Sequence, residues 1–189
     1  MTLAMLDPFL EQTHVTDEKR AMREAINAAI QQRKNKVYSD GVGDAQRKQF
    51  RSELGSLMRA AAKRYVQSVS DDEHFANIGD LAQTLTHRYG SILKDGRFRY
   101  GTAQKAFNLY LKFLWKLEQI PTPPHCPVDG IVLSAAGIQG SWTRSDDQDE
   151  YANWIKILRR RAGPLSLSDW EYELWLRRTA INGKARCCC

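Results

Sequence analysis

Apolar residues recur along this chain at three- and four-residue intervals, the spacing that lines one face of an α-helix. Met22, Ala25, Ile26, Ala29 and Ile30 form such a stripe in a helix predicted from about Thr16 to Lys34, with Asp17 and Glu18 in its opening turn. Val37–Gly43 is rich in turn residues and breaks the pattern. A second helix is predicted from near Asp44 to about Val69, with Phe50, Leu54, Leu57, Met58, Ala61 and Tyr65 on its inner side. Ser70-Asp-Asp-Glu73 has the form of a capping box and opens a third helix. Phe75, Ile78, Ala82, Leu85 and Tyr89 are its stripe, and His87, Arg88 and Gly90 close it.

The segment GTAQKAFNLYLKFLW, residues 101–115, is apolar almost all round. Along it and through the next turn, Lys105, Asn108, Lys112, Lys116 and Gln119 share one face on a 3.6-residue period. This predicts a central buried helix over about 102–119, capped by Thr102, with that polar line as its one solvated edge. Pro121–Pro127 is a rigid, extended connector, because each proline restricts itself and its predecessor. Ile131-Val-Leu133 fits a short strand and a turn of buried helix equally, and Gly137–Trp142 reads as loop. Ser145-Asp-Asp-Gln148 and Ser168-Asp-Trp-Glu171 are two further capping boxes. The first leads a helix with Tyr151, Trp154, Ile155 and Leu158 inward and Gly163-Pro164 as its stop. The second leads a last helix, stapled by Leu167 and Tyr172, that fades at Asn182-Gly183. The fold expected is all-α: a single compact domain of about six helices over residues 16–181, with an N-terminal extension (1–15) and a disordered tail (182–189).

Composition narrows the class. No apolar run reaches bilayer length and no basic-then-apolar leader opens the chain, so a soluble, cytoplasmic protein with no membrane partner is expected. Three of the four cysteines are the last three residues, which cannot staple a domain or build a tetrahedral metal site. The glycine spacing matches neither a P-loop nor a dinucleotide fingerprint, and no cofactor is expected.

Charge adds a candidate surface. The net charge is +6, and residues 51–120 carry most of the excess. Between Arg47 and Arg64 there are six basic residues against one acid, Glu53. Lys48, Arg51, Arg59 and Lys63 fall on one side with Ser52, Gly55 and Ser56 between them, which suits close approach to a phosphate chain. A plain solvated face, with Gly55 where another helix crosses, accounts for the same residues. In Lys94–Thr102, Arg97 and Arg99 alternate with Phe98 and Tyr100 ahead of a helix N-terminus, an arrangement suited to stacked bases and an anion. The competing reading docks both rings in the core. Lys105 and Lys112 extend the basic surface if the two regions are neighbours.

Evidence for catalysis is thinner. His125-Cys126 is the one place where a nucleophile or ligand could be argued, but no CxxC or HxxxH pair accompanies it. His14, His74 and His87 show no pairing pattern. Asp146, Asp147, Asp149 and Glu150 suit the start of a helix, and Arg159–Arg161 its end, without a metal. Trp142, Trp154, Trp170 and Trp175 belong to a core or to a homodimer interface.

GTAQKAFNLYLKFLW followed by PPHCPVD resembles a signature of uncharacterised bacterial proteins, over roughly residues 97–133. The resemblance implies a bacterial cytosolic protein of the mobile or accessory gene pool and carries no catalytic residue with it. The expectation is a non-enzymatic helical protein that binds nucleic acid or another polyanion through Lys48, Arg51, Arg59, Lys63, Arg97, Arg99, Lys105 and Lys112. A protein-interaction or homo-oligomeric module is the alternative, and an enzyme the third reading.

Overall fold

The computed structural model describes residues 7–31 and 36–186, the last six of them by backbone alone. Eight α-helices are formed among the described residues: α1 Pro8–Thr13, α2 Glu18–Ile30, α3 Asp44–Ala62, α4 Asp71–Tyr89, α5 Tyr100–Lys116, α6 Gly130–Ala135, α7 Gln148–Ala162 and α8 Leu167–Arg186. Short 3₁₀ turns follow α3 and α4, and the one β-like contact is a bridge between Tyr38 and Leu93. The all-α class is as the spacing predicts. No described helix is long and apolar enough to cross a membrane.

Two helices exceed the predicted six. The segment expected as an N-terminal extension contains α1, where Asp7 accepts the amide of Phe9, Pro8 fills the first turn, and Phe9 and Leu10 are buried. The ambiguous Ile131-Val-Leu133 is helical in α6, because Asp129 caps the amides of both Ile131 and Val132. α8 continues past Asn182-Gly183 to Arg186, and Cys187–Cys189 lie outside the described residues. The predicted end of the first helix at Lys34 also lies outside them.

α5 is the axis of the molecule. α2 packs on it most extensively, and α1, α3 and α4 also touch it. Ala103, Ala106, Phe107, Tyr110, Leu111, Phe113 and Leu114 are all buried. α5 begins two residues before the predicted cap at Thr102, with Arg99 as N-cap and Thr102 buried inside the helix. The reason is a loop packed across its first turn. The Gly101 amide donates to the carbonyl of Ser145 at 2.9 Å, and a β-carbon on Gly101 would overlap the carbonyl oxygen of Trp142.

Both late capping boxes shift by two residues, in opposite directions. Asp147, not Ser145, caps α7, while Ser145 is buried and its carbonyl serves Gly101. Ser166, not Ser168, caps α8 by accepting the amide of Asp169 at 3.0 Å. Ser168 is thereby free to turn inward, and so is Glu171.

Gly101→Ala should cost about 2–3 kcal/mol, since the loop cannot move without losing its bond to the α5 amide. In thermal unfolding this is a fall of roughly 5–10 °C. Gly130→Ala, with open space around its β-carbon, is the control and should be neutral or slightly stabilising.

Candidate functional site

The polar line of α5 is not a solvated edge. Asn108 and Lys112 are buried, Lys105 and Lys116 are mostly covered, and only Gln119 of that line faces water. The acids missing from α5 come from elsewhere. Lys105 pairs with Asp129 of the α6 cap at 2.8 Å, Lys112 with Glu171 of α8 at 2.6 Å, and Lys116 with Asp7 of the α1 cap at 3.5 Å. Aromatic rings complete the cations' surroundings: Lys112 lies 4.2 Å from the Phe9 ring centre, and Lys116 lies 3.7 Å and 3.4 Å from those of Trp115 and Tyr172. Burial pulls the Lys112 ammonium below the ordinary lysine range, opposed by Glu171. Burial pushes the Asp129 carboxyl up, but Lys105 and the capped amides outweigh it and leave it below the usual carboxylate range.

The amides of Gln104 and Asn108 have a different task. Gln104 donates to the Val128 carbonyl at 2.6 Å and accepts the Val128 amide at 3.2 Å, as a neighbouring strand would. Asn108 donates to the Cys126 carbonyl at 3.1 Å, and from the other side Ser168 reaches the Pro123 and His125 carbonyls. From Pro123 onward the proline connector is thus largely buried between α5 and α8, with polar side chains in place of water.

The eight basic residues expected to form one surface separate into three places. Lys105 and Lys112 belong to the covered ladder just described and are lost to an open basic face. Arg97 and Arg99 both pair with Asp146, at 3.2 and 2.5 Å, and Arg99 also pairs with Asp95. Phe98 and Tyr100 dock in the core, so no exposed stacking rings alternate with these arginines, and the amides of Gly101, Thr102 and Ala103 are all taken by the chain itself. On α3, Lys48 and Lys63 are exposed and Arg59 pairs with Glu18 at 2.8 Å. Arg51 is half-buried and bonds to Asn27. Gly55 is buried where α2 passes, a β-carbon there would lie 3.5 Å from Met22 and Ile26, and it is not open to a phosphate.

A second polar system was invisible in the spacing. Arg64 donates to Asn77 Oδ1 at 2.9 Å, which turns the Asn77 amide nitrogen onto the Tyr65 hydroxyl at 3.0 Å. That hydroxyl then directs its proton at His74 Nδ1, 2.6 Å away, so neutral His74 carries its hydrogen on Nε2. Asn108 likewise donates to the Tyr151 hydroxyl at 2.9 Å, Tyr151 to His125 Nδ1 at 3.1 Å, and His125 Nε2 to Asp71 at 3.3 Å. Arg159 holds the same carboxylate at 2.6 and 2.8 Å. The two atoms left over, His74 Nε2 and Asn108 Oδ1, are a donor and an acceptor. The two imidazoles, 4.4 Å apart, are therefore both neutral. Burial depresses both, His74 well below its ordinary value with help from His125, while Asp71 opposes the shift at His125.

Chemistry at the connector finds no support in this geometry. Cys126 is fully buried and its thiol is pushed far up by burial. No group of three or more metal-ligating side chains occurs among the described residues. The acidic run is used locally: Asp147 caps α7, Asp149 and Glu150 lie in its first turn, and Asp146 binds the two arginines. Trp142 and Trp154 are core residues, and Trp170 and Trp175 are partly covered.

Beside the lysine ladder α1, α5, α6 and α8 enclose a half-open cleft of about 490 Å³. The Lys112–Glu171 and Lys105–Asp129 pairs line it together with Leu109, Ile131 and Trp175.

Glu171→Ala should destabilise the fold by about 3–5 kcal/mol in urea unfolding, because it strands a buried ammonium. The double change Lys112→Met with Glu171→Leu should lose clearly less than the sum of the two singles. The histidines give a pH dependence. The unfolded chain takes up protons near 6.5 and the folded chain only below that, so their contribution is complete above about pH 6.5 and is lost as the pH falls beneath it. Unfolding free energies at about pH 7.5, 6.5 and 5.5 should drop by up to ~1.4 kcal/mol per unit per histidine, and a His74→Gln/His125→Gln variant should show a flatter profile.

Comparisons with protein-family models, with curated proteins and with solved structures return no match to this chain, so its function is read from residues and geometry.

Proposed function

We propose that the protein is a non-enzymatic helical protein that binds nucleic acid or another polyanion through the exposed face of α3. The observation that carries this reading is the α3 face itself. Lys48, Ser52, Ser56, Arg59 and Lys63 are all exposed and, at 100° per residue, lie within one sector of the helix. They span about 22 Å, or roughly six base steps of a duplex. No described carboxylate pairs with Lys48 or Lys63, so their charge is available to phosphates. α2 runs antiparallel alongside, with Glu18 opposite Arg59 and Asn27 opposite Arg51. Its exposed Lys19, Arg20 and Arg23 add to the same potential. Contacts of this kind are made to the backbone and read no base, so binding follows salt rather than sequence.

Fluorescence anisotropy with labelled single- and double-stranded oligonucleotides at two salt concentrations tests the reading. Three phosphate contacts predict a slope of log K against log salt near −2 to −3. Lys48→Glu with Lys63→Glu should weaken binding by about tenfold or more and flatten that slope, without altering the circular dichroism. Absence of binding at low salt would reduce this face to a solubility device.

A further inference from the structure

We infer that the cleft between α1, α5, α6 and α8 is a binding site for a small organic anion with an apolar body. The site is separate from the α3 face. Tyr110, whose hydroxyl reaches Glu18 beside Arg59, lies about 140–160° around α5 from Lys105 and Lys112.

Three features of the cleft point to that ligand. Its volume, about 490 Å³, lies in the range of small-molecule sites. Its walls are apolar where a ligand body would lie: Leu109, Ile131, Leu174 and Trp175 line it, and Ile131 is 44% exposed although it is a large aliphatic residue. The third feature is an imbalance of hydrogen-bonding capacity. Lys105 uses one of its three N–H groups, on Asp129 Oδ2, while Asp129 Oδ1 is already occupied by two backbone amides. Lys112 uses one on Glu171 Oε2 and lies against the Phe9 ring. Arg178, also lining the cleft, has no carboxylate partner among the described residues. Donors left over in the cleft therefore outnumber acceptors, of which Glu171 Oε1 is the main one. An anion fills that deficit and a cation does not.

The buried Lys112–Glu171 pair fits the same role. A hydrophobic pair of similar size is often as stabilising as a buried ion pair, so the charges of Lys112 and Glu171, which line the cleft, can serve a ligand as well as the fold. The anionic group would sit between Lys105 and Arg178, with its apolar body against Ile131 and Trp175.

The test uses 8-anilinonaphthalene-1-sulfonate as the anionic probe and uncharged N-phenyl-1-naphthylamine as its control, each titrated into the full chain. The sulfonate should bind saturably at one site and about tenfold more tightly than the neutral control. Arg178→Glu, which reverses the unpaired charge, and Ile131→Trp, which fills the cleft mouth, should each weaken sulfonate binding about fivefold or more. Both residues are exposed, so circular dichroism and the unfolding temperature should be unchanged. Equal binding of the two probes, or sulfonate binding indifferent to both variants, would overturn the assignment, as would no binding at all. The Lys48→Glu/Lys63→Glu variant should keep its sulfonate affinity, which separates failure of this site from failure of the α3 face.

Discussion

A buried proline-rich strand of chain needs polar partners, and the need to supply them organises this molecule. Pro121–Pro127 cannot join a helix, yet from Pro123 onward it passes, largely buried, between α5 and α8. Its carbonyls would be stranded there without the side chains of Gln104, Asn108 and Ser168. Those residues fix the rotation of α5 and α8 about their own axes. Once Gln104 and Asn108 point at the connector, Lys105, Lys112 and Lys116 must follow them into the same side of the helix, and each then requires an acid from a neighbouring element.

The acids do double duty. Asp129 and Asp7 cap α6 and α1 with one oxygen and bind lysine with the other. Two short helices that would be marginal in isolation are in this way anchored to the central one through their caps. Tyr172 closes the circuit by donating to Asp7 at 2.9 Å while its ring lies against Lys116. The histidine chain extends the same logic to α4 and α7, ending on Asp71 and Arg159. Its two branches, from Asn77 through Tyr65 to His74 and from Asn108 through Tyr151 to His125, leave each ring one consistent tautomer.

These demands redistribute the basic residues. Of the cations that look free in the sequence, Arg59, Arg97, Arg99, Lys105 and Lys112 are in ion pairs in the fold. Pairing leaves the formal charge of +6 unchanged but moves its unpaired excess away from α5, and Lys48 and Lys63 on the α3 face are among the cations left without a carboxylate among the described residues. The exposed pairs are worth little to stability individually. Their effect is to remove charge from the surface around α5 and α7.

Local choices are written in the chain directly. Helical periodicity, the stop at Gly163-Pro164 and the cap at Ser70 depend on neighbours a few residues away, and the helices of residues 71–89 and 148–162 could be read from them; the helix from Asp44, expected to run to about Val69, ends at Ala62 and gives way to a 3₁₀ turn. The docking of Phe98 and Tyr100 was legible as one of two options. Capping boxes were less secure, because Ser145-x-x-Gln148 and Ser168-x-x-Glu171 match a pattern whose polar residues have competing long-range uses. The direction of the polar line on α5 was not legible at all. A lysine on a helix face reads the same whether it meets water or, as Lys112 does, Glu171, 59 residues further along the chain. Nor does anything in the spacing join His74 to His125. Burial, pairing and tautomer are properties of groups distant in sequence, so only the tertiary structure decided them.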